Sequence, residues 1–141
     1  MKKIIVLCTV ILLMLVMVAG CSDNNNQDKP DFVQYLHSIT PDNTEAYFYN
    51  QEEIRSGRKL LSDDDVRALA DILAGIESGQ ITEYYEDGTE SPPKYSLHLI
   101  VDGADWGIFL SDSVHEQPRT MFQGKFWWIE SDALANFMRS F

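Results

Sequence analysis

The sequence predicts an α+β domain: an antiparallel sheet of about five or six strands with two helices packed on one face. Three observations carry this prediction. Apolar residues recur at helical spacing from Val66 to Ile76, the period changes to two between Ile81 and Ile129, and helical spacing returns from Leu134 to Phe141. A chain of 141 residues, 45% of them hydrophobic, suffices for one packed core and leaves no room for a second domain.

Phe32 to Ile39 forms a first short element, Pro41-Asp42-Asn43 a turn, and EAYFYN at 45–50 an extended aromatic strand. Ser62 with Asp65 makes a capping-box pattern ahead of Val66, Leu69, Ala70, Leu73 and Ile76, and Gly79 supplies the stop. Strands are predicted near 80–86, 94–101, 105–111, 119–123 and 125–129, with turns at Asp87-Gly88, Asp102-Gly103 and Gly124. Asp102-Gly103 is the hairpin signal, because a two-residue hairpin turn needs residues that accept positive φ. EDGTESPP at 86–93 is too long and proline-rich for a tight turn and predicts an exposed loop. Ser131 or Asp132 caps the last helix, in which Leu134, Phe137, Met138 and Phe141 share a face.

Alternation then assigns faces. Adjacent strand residues point to opposite sides, so Trp127 and Trp128 cannot both enter one core. Ile129, just before the last helix, belongs under it. That places Trp127 inside and Trp128, with Phe126, on the outer face. Tyr95, Leu97, Leu99, Trp106, Ile108 and Leu110 go inward, leaving His98, Ile100 and Phe109 outward. So apolar an outer face is either buried by the segment Phe32 to Ile39 folding over it, or exposed as a docking surface made of Phe126, Trp128, Phe109 and His98.

Ahead of the domain, Lys2 and Lys3 precede an apolar stretch, Ile4 to Ala19, interrupted only by Thr9 and ending in the small residues Ala19 and Gly20 before Cys21. This is the three-part layout of a secretion signal, and it is shorter than the roughly 20 apolar residues of a spanning helix. Val18-Ala19-Gly20-Cys21 resembles the lipobox of bacterial lipoproteins. By that resemblance Cys21 carries a diacylglyceryl group on its sulfur and becomes the amino terminus of the mature chain. Residues 1–20 are then a signal peptide, 21–31 the lipidated cysteine and a flexible polar tether, and 32–141 a single extracytoplasmic domain. The order of elements over about residues 44–141 is also similar to that of small uncharacterised domains tethered to the surfaces of Gram-positive bacteria, a resemblance that carries no activity with it.

The charge balance excludes one class of partner. The chain has 22 acidic and 11 basic residues, a net charge of −11, or −13 once Lys2 and Lys3 leave with the signal peptide. No basic patch is present to neutralise phosphates, so no nucleic-acid partner is expected.

Catalytic patterns are equally sparse. Cys8 lies in the leader, so the mature chain holds no disulfide. No Gly-x-Ser-x-Gly elbow occurs, the glycines are scattered singly, and His37, His98 and His115 have no neighbouring metal-ligand spacing. Asp63, Asp64 and Asp65 lack the alternating ligands of a calcium loop and fit the first turn of a helix, where the helix dipole favours carboxylates. No cofactor, metal or catalytic residue is assigned. The expected function is a lipid-anchored extracytoplasmic binding or interaction module without catalysis of its own, with an inhibitor or immunity role as one form of it. Its expected location is the cell membrane, and its expected partner an envelope protein or wall polymer. The alternative is a small tethered carboxylate-based hydrolase acting on envelope material.

Overall fold

A computed structural model describes residues 28–51, 57–85, 88, 91–112 and 116–141. The signal peptide, Cys21, the tether up to residue 27, Asp87 and His115 lie outside the described residues. The elements run α1 (Asp28–Ser38), β1 (Thr44–Asn50), β2 (Lys59–Leu60), α2 (Asp63–Ala74), a 3-10 turn (Ser78–Gln80), β3 (Ile81–Tyr84), β4 (Tyr95–Val101), β5 (Ala104–Leu110), β6 (Arg119–Phe122), β7 (Lys125–Ile129) and α3 (Asp132–Arg139). The class is α+β, with one antiparallel sheet of seven strands in the order β2-β1-β4-β5-β6-β7-β3.

Side-chain alternation builds the core. Ala46 and Phe48 of β1, Leu97, Leu99 and Val101 of β4, Trp106, Ile108 and Leu110 of β5, and Trp127 and Ile129 of β7 are all buried. They form one cluster with Phe32 and Leu36 of α1, Val66, Leu69 and Leu73 of α2, and Leu134 and Met138 of α3. Every helix therefore packs on the same face of the sheet.

Local chemistry fixes the element ends. Ser62 Oγ accepts from the Asp65 backbone N–H at 3.2 Å, and the Asp65 carboxylate accepts from the Ser62 N–H at 3.3 Å, a reciprocal cap on α2. The helix ends at Gly75, earlier than the Gly79 expected from the sequence, because the Gly75 N–H already closes onto Asp71 and Ile72 carbonyls and Gly79 falls in the 3-10 turn. Asp102 (φ 50°) with Gly103 (φ 82°), and Gln123 (φ 50°) with Gly124 (φ 77°), close the β4–β5 and β6–β7 hairpins with two central residues each at positive φ.

Three expectations need correcting. Among the described residues there are three helices where two were expected, since Phe32 to Ile39 lies largely in α1, which also takes in residues 28–31 of the segment read as tether. That helix does not cover the outer face. Phe32 stacks on Trp127 at 5.5 Å and sits 5.0 Å from Phe122, so α1 covers the inner face at the β6–β7 end. The short edge strand β2, paired through Tyr47↔Leu60 and Phe48↔Lys59, is too brief to show a period and adds to the count.

β3 pairs with β7, Tyr84 opposite Phe126, and so ends at the edge of the sheet near the Gln123-Gly124 turn. β4 starts at the other end of the sheet, Tyr95 opposite Leu110. Residues 86, 87, 89 and 90 of the connection between them lie outside the described residues, and at its end the Ser91 carbonyl accepts from Arg119 Nη2 at 2.7 Å on the outer face.

Candidate functional site

The outer face is assembled by register. Tyr49, Ser96 and Phe109 lie side by side on β1, β4 and β5, and the row continues through Arg119 of β6 and Trp128 of β7 to Thr82 of β3. Tyr47 and His98 make a second row, with Met121, Phe126 and Tyr84 across β6, β7 and β3. Trp127 is buried and Trp128 half-buried on the opposite side, as alternation requires.

Phe109 does not stand upright. Its ring lies over Gly107 so closely that a Cβ on that glycine would come within 2.7 Å of the ring. His98 meets the same ring edge-on at 6.2 Å, and its Nδ1 is 3.8 Å from Asp105 Oδ1. His98 thus supports Phe109 from behind.

Arg119 is the one residue of β6 that sequence reasoning passed over and the site depends on. Only 8% exposed, it pairs through Nη1 with Glu116 Oε1 at 3.2 Å, holds the Ser91 carbonyl with Nη2, and sets its guanidinium 5.8 Å from the Trp128 ring. Its burial is compensated by charge and hydrogen bonds, as a desolvated guanidinium requires. A signal was present in RTMF, where alternation puts an arginine on the same face as Met121.

Two concavities flank the Arg119–Trp128 pair. On one side, a pit of about 220 Å³ is lined by Tyr84, Pro93, Phe109, Arg119, Met121 and Phe126. On the other, a cleft of about 600 Å³ is bounded by Trp128, Thr82, Gln80, Gln117 and the carboxylates of Glu116, Glu130 and Asp132. The cleft is internally braced. Thr82 Oγ1 donates to Glu130 Oε1 at 3.1 Å, Gln117 Nε2 to Asp132 Oδ1 at 3.4 Å, and the Ser131 N–H to Gln117 Oε1 at 3.1 Å. Among the described residues, no three His, Cys, Asp or Glu side chains converge closely enough to hold a metal ion.

The structure therefore divides the four residues expected to bind a partner. Phe109 and Phe126 meet in the pit, Trp128 walls the cleft, and His98 lines neither. His37 serves the fold, with Nε2 placed 2.8 Å from the Ile76 carbonyl and tying α1 to the end of α2. Tyr47, opposite His98 on the sheet, is held above its ordinary pKa by its hydrogen bond to Glu45.

The fold is shared with a solved structure. A crystal structure from Clostridium perfringens, described as "Putative Lipoprotein", matches with a TM-score of 0.55 over 77% of this chain and 86% of its own, at 12% sequence identity. That likeness extends to the fold alone. No protein-family model matches the chain, and no curated protein sequence does.

Proposed function

We propose that the chain is a lipid-anchored extracytoplasmic binding module, held at the membrane through Cys21, that docks a partner on the outer face of its sheet and performs no catalysis of its own. One observation carries the docking reading: the three helices among the described residues pack on one side of the sheet, leaving on the other an aromatic face with two concavities. The anchor reading rests on Val18-Ala19-Gly20-Cys21, and the description of the C. perfringens protein as a "Putative Lipoprotein" is compatible with it. No helix among the described residues is long and apolar enough to cross a membrane. Acyl chains on one cysteine supply the attachment, at about 0.8 kcal/mol per buried methylene. An inhibitor or immunity role suits a compact acidic domain of this kind.

The test is positional. A photo-crosslinking side chain at Met121, on the outer face, is expected to trap a partner in native membranes, and one at Asn136, on the exposed side of α3, is not. Equal trapping from both positions, or trapping from Asn136 alone, refutes the outer face as the docking surface.

A further inference from the structure

We infer that the outer face recognises a protein partner by two adjoining features, an apolar anchor side chain seated in the pit and a Lys or Arg beside it reaching into the cleft. This rests on the docking reading above and gives the partner's chemistry.

The pit decides the first half. At about 220 Å³ it is below the roughly 300–1,000 Å³ of small-molecule pockets, and its walls are the rings of Tyr84, Phe109 and Phe126 with Met121 at the rim, 55% exposed. That size and lining suit one aliphatic or aromatic side chain, the usual form of an interface anchor.

Charge decides the second half. Outward-facing strand residues and the adjoining margin carry Glu45, Asp105, Glu116 and Glu130, and Asp132 stands at the cleft. Against them on this face stand Arg119, whose charge Glu116 meets at 3.2 Å, and Arg58, close enough to the outward Tyr47 to act on its phenol, so the acidic residues remain in excess. With a chain at −11 overall, the face complements a basic surface, and the field favours encounter with one.

A glycan is the weaker fit. Sugar stacking needs an open aromatic face, but the Trp128 ring is stacked on Tyr84 at 4.7 Å and faced by the Arg119 guanidinium. The geometry of pit and cleft on either side of Arg119 and Trp128 makes both features reachable by neighbouring side chains of one segment.

A random dodecapeptide library selected on the immobilised full chain tests this. Recovered peptides are expected to place Lys or Arg next to Leu, Met or Phe. Their affinity should fall about tenfold or more between low and high salt, since exposed charge pairs are screened. Met121→Glu and Glu130→Lys should each weaken binding about tenfold or more, the first with the unfolding temperature unchanged and the second with no more than the small loss of its exposed bond to Thr82. Acidic or neutral polar consensus peptides, no recovered peptides, affinity unaffected by both substitutions, or displacement by a soluble neutral glycan would each overturn the inference. Trapping at Met121 with any of those results retains the docking face and rejects this partner chemistry. No trapping there removes both.

Discussion

Arg119 and Ser91 join the sheet to the β3–β4 connection: the guanidinium Nη2 donates to the Ser91 carbonyl at 2.7 Å while Nη1 pairs with Glu116. The bond sets the roof of the pit, because Pro93, two residues on, is one of its walls. Lysine cannot reproduce this fork. Its single ammonium cannot reach both acceptors in the same geometry. Arg119→Lys is expected to release the connection, seen as faster proteolysis within residues 85–94 and a modest loss of stability. Arg119→Ala leaves Glu116 half-buried without its partner and should cost more, up to about 3 kcal/mol at the lower end of broken buried pairs. Chemical unfolding of both, beside the Arg119→Met, Glu116→Gln double variant, measures the pair. An unchanged cleavage rate in Arg119→Lys would show that the connection is held elsewhere.

Gly107 and Phe109 make a local test of the outer face. An alanine methyl at 107 would meet the far end of the Phe109 ring, which can swing away without moving backbone. Overpacking costs about 1–3 kcal/mol where nothing yields, and the swing places Gly107→Ala near the lower limit. The ring edge facing His98 should then move, shifting the His98 ring proton resonances. In Phe109→Ala the same glycine substitution is expected to be neutral, a coupling that a double-mutant cycle reads directly. Additive costs would mean that the ring does not lie over Gly107.

The alkaline limit of stability follows from Tyr35. Burial against the core, then the Asp102 charge, hold its phenol above the ordinary value of 10.0. A pKa raised in the fold gives stability that is complete below the unfolded pKa and is lost as pH rises through the folded one. The domain should therefore lose stability above about pH 10, and Tyr35→Phe should flatten that decline while retaining the contacts of the ring with Trp106 and Phe122. An identical alkaline profile in Tyr35→Phe would assign the decline to other groups.

Much of this architecture is legible in the sequence for a physical reason. A period of two with Asp102-Gly103 at the turn fixes both register and facing, so Leu97, Trp106 and Ile108 could be placed inside without coordinates. α1 was less legible. Its polar start at Asp28-Lys29-Pro30 reads as tether, and only the contact of Phe32 with Trp127, distant in sequence, assigns it to the inner face. The pairing of β3 was hidden for the same reason, since Tyr84 opposite Phe126 is a long-range choice that no local pattern encodes. In the site, alternation marked Phe109, Phe126 and Trp128 as outward. It could not show that Arg119, fixed by Glu116 and Ser91, would separate them into a pit and a cleft.

The paired tryptophans give the sharpest experiment. Trp127 is 2% exposed, stacked on Phe32, and its indole N–H has no hydrogen-bond partner among the described residues. Truncation to alanine removes a large buried ring and should cost about 3–5 kcal/mol. Phenylalanine at the same place keeps most of the apolar contact and removes the unsatisfied donor, whose burial costs about 1–3 kcal/mol, so Trp127→Phe should be far milder than Trp127→Ala. Trp128, half-buried on the other face, stacks on Tyr84 and borders the open cleft. Trp128→Ala should cost less than half of the Trp127→Ala loss while reshaping the cleft and weakening a bound partner. Collisional quenching separates the two positions without a partner: the Trp106→Phe, Trp127→Phe variant, reporting Trp128, should be quenched several times more steeply than the Trp106→Phe, Trp128→Phe variant, reporting Trp127. Equal quenching, or equal destabilisation by the two alanine substitutions, would remove the distinction between an inner and an outer tryptophan on which the docking face depends.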